Sequence, residues 1–233
     1  MEDTKANIES NTNGKATVIA FHSIGASPDL GPAATNGNLM ETEVIDAFAK
    51  AQTLGTIDFV VQNLGPNMPP PDGPDMRKMS SGFMKYMWDI NFLISFLVGR
   101  EAARIMVRDD GQPCGTLLFT GATGSMRGSP PFVAYAQAKA GVRFLAQSMG
   151  REFGPKGLHV GHVIIDALID GARVRNLFGG REKFDKNTSF IWSFLISISD
   201  TLLSTDFPRR GKIDKSSLSI LPIREIFPLS VLI

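Results

Sequence analysis

Residues 115–165, GTLLFTGATGSMRGSPPFVAYAQAKAGVRFLAQSMGREFGPKGLHVGHVII, decide the architecture. GTLLFTG (115–121) and LHVGHVII (158–165) are short apolar runs of strand type, and the segment from about Pro131 to Phe153 carries its apolar residues at helical spacing. Two buried strands joined by a crossing helix belong to a parallel sheet. Inside that helix Tyr135 and Lys139 stand four residues apart, so they share one face and the ammonium can approach the phenol. An unaided phenol titrates at about pH 10. A neighbouring cation favours the phenolate and lowers that value, as acid–base work at neutral pH requires.

The same rhythm extends upstream. KATVIAF (15–21) and IDFVVQNL (57–64) read as strands, METEVIDAFAKAQ (40–52) as the helix between them, and a Pro- and Gly-rich loop then leads into a long helical stretch from about Phe83 to Val107. Uninterrupted apolar strands alternating with helices indicate a doubly wound α/β fold, a parallel sheet covered on both faces. Residues 22–39 lack periodicity and read as a long loop or insertion. Residues 1–186 form the expected domain, and residues 187–233 a divergent tail without a clear helical or strand template. The densest apolar run of that tail, FIWSFLISIS, is far shorter than the roughly 20 residues a membrane span needs.

Composition excludes several classes of function. The chain has 233 residues, 43% hydrophobic and 20% charged, with a formal charge of +1 and scattered basic residues. Nothing marks a nucleic-acid or anionic-membrane surface. A single cysteine, Cys114, allows no internal disulfide, and three histidines (His22, His159, His162) with no ligand cluster give no metal site; His159 and His162 are expected to flank or face a packed strand. The polar N-terminus MEDTKANIES is unlike a signal peptide, so a reducing, cytoplasmic setting is expected.

From about Gly14 to Gly171 the chain resembles the short-chain dehydrogenase/reductase family. Four pieces carry the resemblance in the family's order: QNLG (62–65), similar to the Asn-Asn-Ala-Gly strand end; WDINFLISFLVGREAARIM (88–106), similar to the helix bearing the catalytic asparagine; YAQAK (135–139); and REFGPKGLHVGHVIID (151–166). The resemblance implies a Rossmann-like fold and an NAD(P)(H)-dependent oxidoreductase that interconverts a small carbonyl compound and its alcohol. Tyr135 is then the general acid or base, Lys139 lowers its pKa and bonds the nicotinamide ribose, and Asn91 holds a water that connects Lys139 to solvent. Asn63, Gly65 and Ile169 join Tyr135 and Lys139 in holding the cofactor. An amide such as Asn91 within the apolar run MWDINFLISFL also needs hydrogen-bond partners once buried.

The chain departs from the family at three places. The family serine about thirteen residues before the tyrosine falls here on Ala122, leaving Thr123 and Ser125 as alternative hydroxyl donors. No Gly-x-x-x-Gly-x-Gly turn is present; Gly25 and Gly31 have the wrong spacing, so the fold is expected to begin about two strands and one helix late, with an exposed sheet edge. DALIDG (166–171) replaces the family's Pro-Gly-x-x-x-Thr. A partial or alternatively spliced product would account for both ends. The alternative to an enzyme is therefore a catalytically silent chain of the same fold, acting through binding or dimerisation. Residues Phe83 to Val98 are apolar nearly all round, which matches the family's habit of pairing this helix across a two-fold axis in a homodimer or homotetramer.

Overall fold

The computed structural model describes residues 37–65, 70–130 and 132–165, together with 197–198 and 231–232. In chain order the elements are α1 (Gly37–Gln52), β1 (Phe59–Gln62), α2 (Ser81–Trp88), a five-residue π turn (Asp89–Leu93), α3 (Ile94–Met106), β2 (Gly115–Ala122), α4 (Val133–Phe153), β3 (Leu158–Ile165), and two short strands, β4 (Ser197–Ile198) and β5 (Val231–Leu232). The sheet runs β4-β3-β2-β1-β5, with β5, β1, β2 and β3 parallel and β4 antiparallel. Expected strand 15–21, most of the 22–39 loop and Ile169 lie outside the described residues.

Burial alternates along β2, and the register of β1 and β3 against it sets the layers. Val60, Leu117, Phe119, Leu158 and Val160 turn to one face. There they meet Val44 and Phe48 of α1, Ile94 and Val98 of α3, and Val142 and Met149 of α4 in one continuous core. All three helices therefore cover the same face. On the other face Leu118, Val163 and Ile165 are half-buried. The parallel α/β sheet is the one that the strand–helix alternation led us to expect; cover on both faces was expected too, and these three helices lie on one.

Two features correct the expectations. The segment read as one helix from Phe83 to Val107 is α2 and α3 joined through a π turn centred on Asn91. Ser80 starts it, its hydroxyl accepting from the Phe83 N–H at 3.1 Å, so the boundary is a conventional N-cap. The β1 edge expected to be bare is paired instead over two residues, Val60 with Val231 and Val61 with Leu232. An open row of N–H and C=O groups is a template for any extended segment, and two residues of the tail meet it.

Candidate active site

The parallel strands deliver the expected site residues to the C-terminal edge of the sheet, where β1 and β2 end and α4 begins. Beyond β1, Gly65 takes φ +148°, a conformation open to glycine and strained for other residues. Its bare Cα is also sterically required. A Cβ there would overlap Lys139 Nζ and stand 2.7 Å from Asn91 Oδ1 and 2.8 Å from Lys139 Cε. Gly65, Asn91 and Lys139, separated widely in sequence, thus converge on one point, while Asn63 beside them is exposed.

Asn91 is fully buried and occupies the middle of the π turn. Such a turn inserts an extra residue into the helical repeat and re-aims side chains, a distortion common at functional sites. Asn91 Nδ2 donates to Met87 O at 3.0 Å, and the Asn91 carbonyl accepts from Ser95 Oγ at 2.5 Å. Its own helix thus gives the side-chain amide one acceptor, Met87 O, while the Ser95 bond falls on the main-chain carbonyl.

Lys139 is buried, with 3% exposure, and donates to Thr120 O at 3.0 Å and Leu64 O at 3.3 Å. Desolvation pulls its pKa from the ordinary lysine value down to about 8. Leu64 O also accepts from Gln62 Nε2 at 3.2 Å. Gln62, a departure from the family pattern, is fully buried and helps fix the carbonyl that receives the lysine. Nothing in the sequence distinguished that role from a neutral substitution.

Tyr135 lies one helical turn before Lys139, its ring centroid 5.9 Å from Nζ, and packs beside Phe83, Tyr86 and Met87. Burial pushes its phenol above the usual value. The expected lowering by Lys139 is thus not the dominant effect here, because the ring lies in an apolar cluster and the ammonium is bonded to backbone carbonyls. At neutral pH the phenol keeps its proton and can donate it.

The two candidate hydroxyls follow β2 in a 3₁₀ turn, Thr123–Ser125. Ser125 is buried and its oxygen accepts from the Ala122 N–H at 3.1 Å, closing the turn; Thr123 is half-buried. A cavity of about 670 Å³ opens beside this turn, lined by Ser125, Met126, Arg127, Val133, Ala136 and Arg143 among others. Tyr135, Lys139 and Asn91 do not line it, so convergent chemistry marks the site better than this hollow does. Two more polar groups near the site are fully buried: Gln62, which the sequence showed only as a departure within QNLG, and His162, which was expected only to flank or face a packed strand.

The donor set suits the nicotinamide and ribose end of NAD(P): the bare Cα of Gly65 makes room for Lys139 and Asn91, and Lys139 is a buried cation with a third N–H beyond its two backbone bonds. Among the described residues no cluster of His, Cys, Asp or Glu could hold a metal ion, and no helix is long and apolar enough to cross a membrane.

Comparison with known proteins bears on the fold and the family. The family model described as short chain dehydrogenase matches residues 15–172. A solved short-chain dehydrogenase from Rhodopseudomonas palustris is 30% identical, with a TM-score of 0.56 over 70% of this chain and 68% of that one. An uncharacterized oxidoreductase of Bacillus subtilis is 29% identical over 58% of this chain and 19% of its own length. A 3-dehydrosphinganine reductase of Arabidopsis thaliana is 29% identical over 49% of this chain and 34% of its own length. The chain thus spans only a fifth to a third of these two relatives.

Proposed function

The chain belongs to the short-chain dehydrogenase family, and from that premise we propose that it is an NAD(P)(H)-dependent oxidoreductase that reduces a small carbonyl compound to its alcohol and runs the reverse reaction. One observation carries this: Gly65, Asn91 and Lys139 meet at the C-terminal end of the parallel sheet, one helical turn from Tyr135. Asn63, Gly65, Tyr135, Lys139 and, beyond the described residues, Ile169 hold the nicotinamide half of the cofactor. Bound there, NAD(P)H supplies hydride.

The protein's own groups do the rest. Tyr135, protonated at neutral pH because burial raises its pKa, gives its proton to the carbonyl oxygen as negative charge develops there. Lys139 holds its position through Thr120 O and Leu64 O and turns its remaining N–H toward the cofactor ribose and the phenol. Asn91 connects Lys139 to solvent through a bound water. A hydroxyl from Thr123 or Ser125 orients the substrate oxygen.

The runner-up is a chain of the same fold without turnover, acting by binding or dimerising; Ala122, standing where the family serine falls, favours it. Either form is proposed to assemble as a homodimer or homotetramer through an aromatic stripe across α2, the π turn and α4. Trp88 and Phe92 pack there with tilted rings, 4.2 Å between centroids, Gly141 backs onto Phe92, and Phe144 is 63% exposed. We place the protein in the cytoplasm, in keeping with its lone cysteine, Cys114. The test is loss of NADH or NADPH absorbance with a panel of small aldehydes and ketones, for the wild type and Tyr135→Phe. Turnover that falls by about 10² or more in the variant supports the role of Tyr135; equal turnover removes it.

A further inference from the structure

His162 is fully buried on β3, and neither of its ring nitrogens has a hydrogen-bond partner among the described residues. A buried polar group left unpaired is costly, so its surroundings should show what it serves. They lead to the turn after β2. A Cβ added to Gly121 would overlap His162 Nε2 and stand 2.9 Å from Ser125 Oγ. The imidazole edge and the serine hydroxyl therefore flank the same bare Cα, close enough for one water molecule or a small ring rotation to join them. Ser125 already accepts from the Ala122 N–H, and its own proton still needs an acceptor.

We infer that His162 is a positioning residue for this turn: its Nε2 accepts a hydrogen bond from the Ser125 hydroxyl, directly or through one bound water, and so leaves Thr123 as the hydroxyl that faces the substrate carbonyl. The assignment of Thr123 rests on the oxidoreductase proposed above; the His162–Ser125 contact does not. For Nε2 to accept, the ring must be neutral with its proton on Nδ1. Desolvation, with Lys139 and Arg143 of α4 facing the ring, keeps it neutral by lowering its pKa to about 4. Gly121 is part of the device, since any side chain there would part the two groups.

The test uses the full chain with ¹⁵N-labelled histidine. Long-range ¹H–¹⁵N spectra report the tautomer and the acceptor state of each ring nitrogen. The chain has three histidines, so His162 is assigned by elimination with His22→Gln and His159→Gln, without relying on a His162 variant that fails to fold. The expected signal is a neutral Nδ1–H tautomer between pH 8 and pH 5 whose Nε2 resonance shifts in Ser125→Ala. An Nε2–H tautomer, or an Nε2 resonance that Ser125→Ala leaves in place, overturns the contact. In turnover, Thr123→Val is expected to lower kcat/KM at least tenfold more than Ser125→Ala, and the reverse order overturns the assignment of the hydroxyl. A chain that folds, shows the tautomer and turns nothing over would defeat the oxidoreductase proposal while leaving the His162 contact standing.

Discussion

Replacing Lys139 by methionine keeps the length and packing of the side chain and removes its titration. In the folded chain Lys139 titrates at about 8, against 10.5 for the ordinary group, because it is desolvated. Below pH 8 both folded and unfolded chains hold the proton. Between about 8 and 10.5 the unfolded chain still holds a proton that the folded chain has released, so folding stability rises with pH across that window. A separation of about 2.5 pKa units corresponds to about 3 kcal/mol. Loss of the hydrogen bonds to Thr120 O and Leu64 O displaces the curve of the Lys139→Met variant by a pH-independent amount, and the other titrating groups are common to both proteins. Urea denaturation at several pH values from 7 to 10.5 then isolates the effect as a difference of slopes. The wild type should gain about 3 kcal/mol on Lys139→Met over that range. Curves that stay parallel would refute the burial of a charged lysine at this site.

Three other outcomes follow from the geometry. Gly65→Ala places a Cβ against Lys139 and Asn91 at a positive φ, and should lower stability by about 2–4 kcal/mol, read as a fall in thermal midpoint, together with nucleotide affinity. In the pH profile of kcat/KM, Lys139 loses its proton as pH rises through about 8, so the reductive rate should fall above that value; a profile flat to pH 10 would exclude Lys139 as the charged partner. Phe144→Glu puts a charge on the exposed aromatic stripe and should convert a dimer or tetramer to monomer in sedimentation, whereas an unchanged mass would move the interface elsewhere.

Strands and helices were legible because their periods are strong: α4 and β3 fall where the apolar spacing put them, β3 residue for residue. The π turn at Asp89–Leu93 was not, because neither proline nor glycine marks it, and the apolar run around Asn91 reads as uninterrupted helix. Tyr135, Lys139, Asn91 and Gly65 could be named from spacing and resemblance. The direction of the Tyr135 pKa could not, since it depends on Phe83, Tyr86 and Met87 packing around the ring. The places of Gln62 and His162 at the site escaped for a related reason. A polar residue in an apolar strand gives no sign in sequence of whether its side chain meets water, a backbone carbonyl such as Leu64 O, or a glycine such as Gly121. The pairing of Val231–Leu232 with β1 joins residues about 170 positions apart, which no local pattern encodes.

The central claim is that this chain binds a nicotinamide nucleotide at Gly65, Asn91 and Lys139 without the family's glycine turn, and its most direct test is the thermal midpoint of the purified protein titrated with NADH and with NADPH. A ligand that binds only the folded chain stabilises it by about 2.7 kcal/mol at a hundred times its Kd. A cooperative transition that one nucleotide raises by several degrees, and that Gly65→Ala renders insensitive to it, is the expected result. A cooperative transition that neither nucleotide moves at millimolar concentration would contradict it.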